Sequence, residues 1–158
     1  MPKNLNRVVV AAIAFGIAGA AFAAGHLTED QQRAMDARQS HMGLYSFNLA
    51  PIGAMAQDKI PYDEAVAASA AANLAALASI DQSAYWVEGT DASIEGSRAK
   101  TEIWTDAAGY LAEKEKLAAA SAALAAVAGD GLDAMKAAFS PVGQSCGSCH
   151  EAYRAPRT

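Results

Sequence analysis

From Thr101 to Ala128 an apolar side chain recurs every seven residues: Ile103, Tyr110, Leu117 and Leu124. An adjacent row, Trp104, Leu111, Ala118 and Ala125, widens it into one broad face. That spacing predicts an α-helix that must lay this face against other helices. Much of the apolar composition is alanine, which favours helix over strand, and no strand-like alternation appears. Hydrophobic residues make up 53% and charged residues 18%, enough apolar side chain for a core and too little charge for a disordered chain. The 158 residues suit one domain.

Three further helices are predicted. One runs from about Thr28 to Gln57, with a hydroxyl cap at Thr28 and early acids at Glu29 and Asp30. Its inward rows read Met35, Met42, Leu49, Ala56 and Arg38, Tyr45, Ile52. Pro51 should kink it or end it early. The second runs from about Tyr62 to Ile80, with Pro61 in its first turn and Leu74, Leu77 and Ile80 on its buried side. The last runs from about Asp130 to Arg154, capped by Asp130 or Asp133, with a kink expected near Pro141. Gly129 supplies the stop before it. Between the second and third helices, Asp81 to Lys100 shows no periodicity, with Tyr85 and Trp86 as candidate packing anchors. A loop of that length usually has a job. The fold class is therefore all-α, an antiparallel four-helix bundle.

The first 23 residues read as a cleaved secretory signal peptide. Lys3 and Arg7 precede the apolar run Val8 to Ala23, which ends in the small-x-small triplet Ala21-Phe22-Ala23. The run is short and rich in small residues for a membrane span, so an uncleaved anchor helix is the weaker reading. Removal takes the formal charge from −5 to −7. The mature chain, residues 24–158, is thus exported and acidic, with no run of basic residues to neutralise nucleic-acid phosphates.

The chemistry lies near the C-terminus, in SCGSCHEAYR from Ser145 to Arg154. On a helix, Cys146, Cys149, His150, Tyr153 and Arg154 share one face, which Phe139 and Val142 continue into the core. C-x-x-C-H is the attachment signature of haem c. Two thiols one turn apart each form a thioether with one porphyrin, and the adjacent histidine reaches the iron. The rivals are weaker. A thioredoxin-like pair needs a helix start beside a βαβ unit. Zinc needs four ligands, and the other histidines are only His26 and His41. A plain disulfide leaves His150 unexplained.

The first helix carries an anomaly, Arg38 on a core row. A buried charge needs a partner. A haem propionate would suit its two-pronged geometry, and snorkelling to water at the bundle end is the plainer reading. Met42, one turn on, has three open roles: ordinary core, an unbonded neighbour of the iron, or a sixth ligand. His41 lies about 100° around the helix from Met42 and reads as a flanking residue. Trp104 and Tyr110 are most simply core, and Tyr153 packing.

Taken together, Glu102–Tyr110, Gly129–Arg154 and Arg38–Met42 resemble the class II cytochromes c, most closely the cytochromes c′. The resemblance spans nearly all of the mature chain. It implies a four-helix bundle, often a homodimer through its first two helices. It also implies one covalent haem c whose five-coordinate, high-spin iron binds nitric oxide or carbon monoxide. Cysteines 146 and 149 would carry the haem and His150 would be the proximal ligand. Arg38 would meet a propionate. Arg154 would lie beside the proximal face, bonding a gas there or pairing with a propionate or acid. In low-spin relatives a methionine at the position of Met42 is the sixth ligand. No residue is placed as a substrate-transforming acid, base or nucleophile, so a periplasmic electron-transfer or gas-binding protein is expected, not an enzyme. The redox partner is not legible.

Overall fold

The computed structural model describes residues 27–157. The segment read as a signal peptide, residues 1–23, and His26 lie outside them. Among the described residues no helix is long and apolar enough to cross a membrane.

Helix α1, Glu29–Ala56, opens on a complete capping box between Thr28 and Gln31. It runs through Pro51 without ending. The carbonyl that Pro51 leaves without a helical donor belongs to Phe47, which is exposed and open to water. Helix α2, Glu64–Ser79, is capped by Asp63, whose carboxylate accepts from the Val66 amide. Pro61 stands ahead of that cap instead of in the first turn, and Ile80 is exposed. Leu74 is buried as expected, and most of the remaining buried face is alanine, which lets α1 and α4 approach closely.

The predicted third helix is two. Glu102–Thr105 forms a short α3 and Ala107–Val127 forms α4. The break falls at Asp106, whose backbone leaves the helical region (φ −125°, ψ 56°) while its side chain caps the Gly109 amide. The break shifts register between the two pieces. Ile103 and Leu124 are buried, but Leu111, on the expected adjacent row, is 53% exposed. Helix α5, Leu132–Tyr153, is continuous across Pro141. Neither Asp130 nor Asp133 caps it; Gly131 does, at φ 120°, a conformation that favours glycine.

Helices α1, α2, α4 and α5 close a ring, each packed on the next and α5 back on α1. Ile52, Met55, Leu74, Leu124, Met135 and Val142 fill the centre. A second cluster near the end of α5 joins Ala99, Ile103 and Tyr153 to Trp86, Trp104, Tyr110 and Cys149. The long loop 81–100 covers this end. It contains one 3₁₀ turn, Ser83–Tyr85, and one antiparallel bridge, Ala99 with Arg154.

Candidate functional site: a cleft between the first and last helices

A cleft of about 940 Å³ opens between α1 and α5, roofed by the 86–99 end of the loop. The whole predicted face of α5 lines it: Cys146, Cys149, His150, Tyr153 and Arg154. The facing wall of α1 includes Arg38, Met42 and Gly43. A side chain added at Gly43 would meet nothing within 4 Å. Glycine inside a helix costs about 1 kcal/mol against alanine, and here it keeps the wall open to a broad, flat group.

Both cysteines are free thiols. Burial pushes Cys146 above its ordinary pKa, and burial with the nearby Glu113 carboxylate pushes Cys149 to about 11. Reactive thiols are instead held low, which argues against a thiol redox switch. The His150 imidazole is held below its ordinary value, first by burial and then by Arg154 and Arg98. It is therefore neutral near pH 7, the form that coordinates a metal. Behind the motif, Glu113 of α4 accepts a 2.5 Å hydrogen bond from Ser148 Oγ and fixes the C-x-x-C turn against α4.

Arg38 is buried at 5% exposure and does not snorkel to water. Its guanidinium donates to Thr90 Oγ1 at 2.7 Å, Thr90 O at 2.5 Å and Ser97 Oγ at 2.9 Å, with a longer bond to Tyr85 O at 3.4 Å. It also lies 5.1 Å from the centroid of Trp86. The anomalous charge thus clamps the loop onto α1. Met42 is 41% exposed, facing the cleft, while Arg38, Tyr45 and Ile52 form the buried row of α1. His41 turns away from the cleft, as its helical angle implied. It is buried against Tyr45 and Tyr85, with Nε2 3.2 Å from Gln82 Nε2.

Tyr153 does more than pack. Its hydroxyl donates to Asp106 Oδ2 at 2.8 Å, and its ring meets Tyr110 edge-on at 5.5 Å. Tyr110 in turn meets Trp86, and Trp104 Nε1 donates to Trp86 O at 2.8 Å. Trp86 and Tyr153 wall the cleft's end, and Tyr110 and Trp104 back them. Sequence reasoning passed over Asp106, Thr90, Ser97 and Glu113. Asp106 carried a signal, an acid three residues before Gly109. The others reach across the chain and leave no local trace.

The donor set suits haem c: two thiols and a neutral imidazole on one wall, an open opposite wall, and cations for its carboxylates. The comparisons agree. The family described as cytochrome C′ matches residues 33–154. The chain is 35% identical over 154 residues to a cytochrome c′ of Cereibacter sphaeroides, covering 97% of this chain and 100% of that one. A solved cytochrome c′ from "Rhodobacter Spheriodes" superposes with a TM-score of 0.78 at 36% identity, covering 80% of this chain and 98% of that one. The nitric oxide complex of a cytochrome c prime mutant from Alcaligenes xylosoxidans superposes at 0.71 and 31% identity, covering 83% of this chain and 100% of that one. On the sequence match, the fold match and the C-x-x-C-H face together, this chain belongs to the cytochrome c′ family, whose cofactor is covalent haem c.

Proposed function

We propose that the mature chain is a periplasmic haem c protein that exchanges single electrons and reversibly binds nitric oxide and carbon monoxide, without transforming a substrate. The observation that carries this reading is the cleft itself, with Cys146, Cys149 and His150 on one wall and Met42 on the other. Haem c would supply an iron able to change charge by one electron and to hold a small neutral ligand. Cys146 and Cys149 would anchor it through thioethers, and His150, neutral near pH 7, would be its proximal ligand. Arg154, one turn beyond His150, sits at the edge of the same face. Arg38 holds the roof and lines the cleft, where a propionate is within its chemistry.

Met42 decides between this reading and a six-coordinate electron carrier. On the α1 wall Gly43, Ser46, Leu49 and Ala50 follow it and Arg38 and Gln39 precede it, with Arg38 committed to the loop and no imidazole, amine or carboxylate on that wall. An apolar distal face disfavours anions and admits uncharged gases. The relatives whose complexes are known include a carbon monoxide-bound variant and the nitric oxide complex from Alcaligenes xylosoxidans. The ferric protein is expected to give a high-spin spectrum, unchanged in spin state by Met42→Leu. In Met42→Ala, carbon monoxide association is expected to rise about tenfold, equal to about 1.4 kcal/mol of steric barrier. A low-spin wild type that turns high-spin on Met42→Leu would establish the electron carrier instead. Strong cyanide or azide binding at neutral pH would also count against the open apolar site.

The protein would also act as a homodimer through α1 and α2. Phe47 is 76% exposed and Leu44 50% on α1, with Val66 of α2 also exposed. A relative in the family undergoes ligand-controlled dimer dissociation. Sedimentation should show a dimer that Phe47→Glu converts to monomer; a wild type monomeric at high concentration would reject the pairing.

A further inference from the structure

The cleft's charge is opposite to that of the molecule around it. The whole chain carries a formal net charge of −5. The cleft is lined by Arg38, Lys59, Arg98, Arg154 and Arg157, and by no Asp or Glu. These residues are scattered in sequence, so no basic run announces them. The fold gathers three of them through one local device. The bridge between Ala99 and Arg154 zips the end of the loop to the tail after α5, with Ala155 N donating to Arg98 O at 2.8 Å. Arg98 Nε returns a bond to Ala155 O at 2.9 Å. Arg98, Arg154 and Arg157 are thereby held on one rim.

These cations are not consumed inside the protein. Arg38 is buried and committed to Thr90 and Ser97, whereas Lys59, Arg154 and Arg157 are exposed and Arg98 half-exposed. The ion pairs among the described residues engage Arg33, Lys116 and Lys136 and none of these four. Haem c brings two propionate carboxylates, so cationic charge remains at the mouth after both are neutralised. Fields from a charged cleft mouth are felt over about a Debye length, ~10 Å at 0.1 M salt. At that range they weigh more on encounter at the mouth than charge on the far side of the molecule does.

We infer that the rim formed by Arg98, Arg154 and Arg157 is the electron-exchange surface and that the redox partner presents an acidic face to it. This rests on the haem reading above. The net charge and the rim predict opposite signs, which makes the test sharp. The haem-loaded protein, reduced beforehand, is oxidised in a stopped-flow instrument by hexacyanoferrate(III), an anion. A parallel series uses tris(phenanthroline)cobalt(III), a cation. Ionic strength is varied from about 0.01 to about 1 M, taking the Debye length from ~30 to ~3 Å.

The rate with the anion is expected to fall with salt and the rate with the cation to rise. Arg98→Glu with Arg157→Glu should lower the anion's low-salt rate about tenfold and invert its slope. Arg157→Glu alone should move both rates in the same directions; its side chain makes no hydrogen bond among the described residues, so folding is spared. An anion rate that rises with salt in the wild type, or slopes that the variants leave unchanged, would overturn the rim. Absence of covalent haem on a stained denaturing gel, or of a ferrous–ferric difference spectrum, would sink the haem reading and the rim with it. The wrong salt sign with haem present sinks the rim alone.

Discussion

A Cys146→Ser, Cys149→Ser double variant, exported in cells that attach haem, loses covalent haem completely. On a denaturing gel stained for haem the wild-type band is present and the double variant's is absent. Each single variant keeps one thioether, retaining stain with a shifted ferrous band. The expectation follows from the cleft: both thiols stand on the α5 wall that also presents His150. They are half-buried with raised pKa values, so the thiolate form that thiol chemistry needs is disfavoured and little competes with haem for them. Stain surviving in the double variant would mean that haem is fixed elsewhere, and the reading of the motif would fail.

The second large effect belongs to Arg38. Arg38→Leu is expected to destabilise the haem-loaded protein by about 3 kcal/mol, read from the urea midpoint. Hydrogen bonds to a charged donor contribute about 1.5–3 kcal/mol each, and orphaned buried acceptors add to the loss. Thr90, fully buried, keeps a Ser97 bond on its carbonyl but loses its guanidinium partner. The 81–100 loop should then become the first site of tryptic cutting, at Arg98. Arg38→Lys should recover less than half, because a single ammonium cannot reproduce the fork. Thr90→Val separates the clamp from any role toward the haem. It removes an acceptor of Arg38 on the loop without touching the cleft wall, and should cost about 1–2 kcal/mol with the absorption spectrum unchanged. A spectrum that shifts with Thr90→Val, or an Arg38→Leu protein as stable as wild type, would reject the clamp.

The heptad rows and the C-x-x-C-H spacing made the helical bundle and one cleft wall legible. Both are local periodicities, and helix geometry converts them directly into faces. What periodicity could not carry is where a helix is interrupted by a side chain competing with its backbone. Asp106 breaks the predicted third helix in this way, and Leu111 consequently points outward. Prolines do not end helices here. Pro51 read as a kink or an early end and Pro141 as a kink, and both helices run on through them. Arg38 was legible as an anomaly but not as a clamp, since its acceptors lie some fifty residues downstream in a segment with no pattern of its own. The rim is the extreme case. Its arginines are single residues in an acidic sequence, and only the bridge at Ala99 makes them neighbours.

The break at Asp106 also constrains how this chain can vary. One oxygen of Asp106 caps the Gly109 amide, and the other accepts from Tyr153. The two polar groups converge so tightly over residue 109 that a methyl group there would overlap the Asp106 carboxylate and come within 2.5 Å of the Tyr153 hydroxyl. No single exchange of Gly109 can therefore be absorbed by moving one flexible neighbour. Positions 106, 109 and 153 form one unit of substitution, in which a larger residue at 109 is admissible only alongside changes at both of the others. Anyone reshaping the end of this cleft must redesign the three together, because the wall beneath His150 and the start of α4 are the same joint.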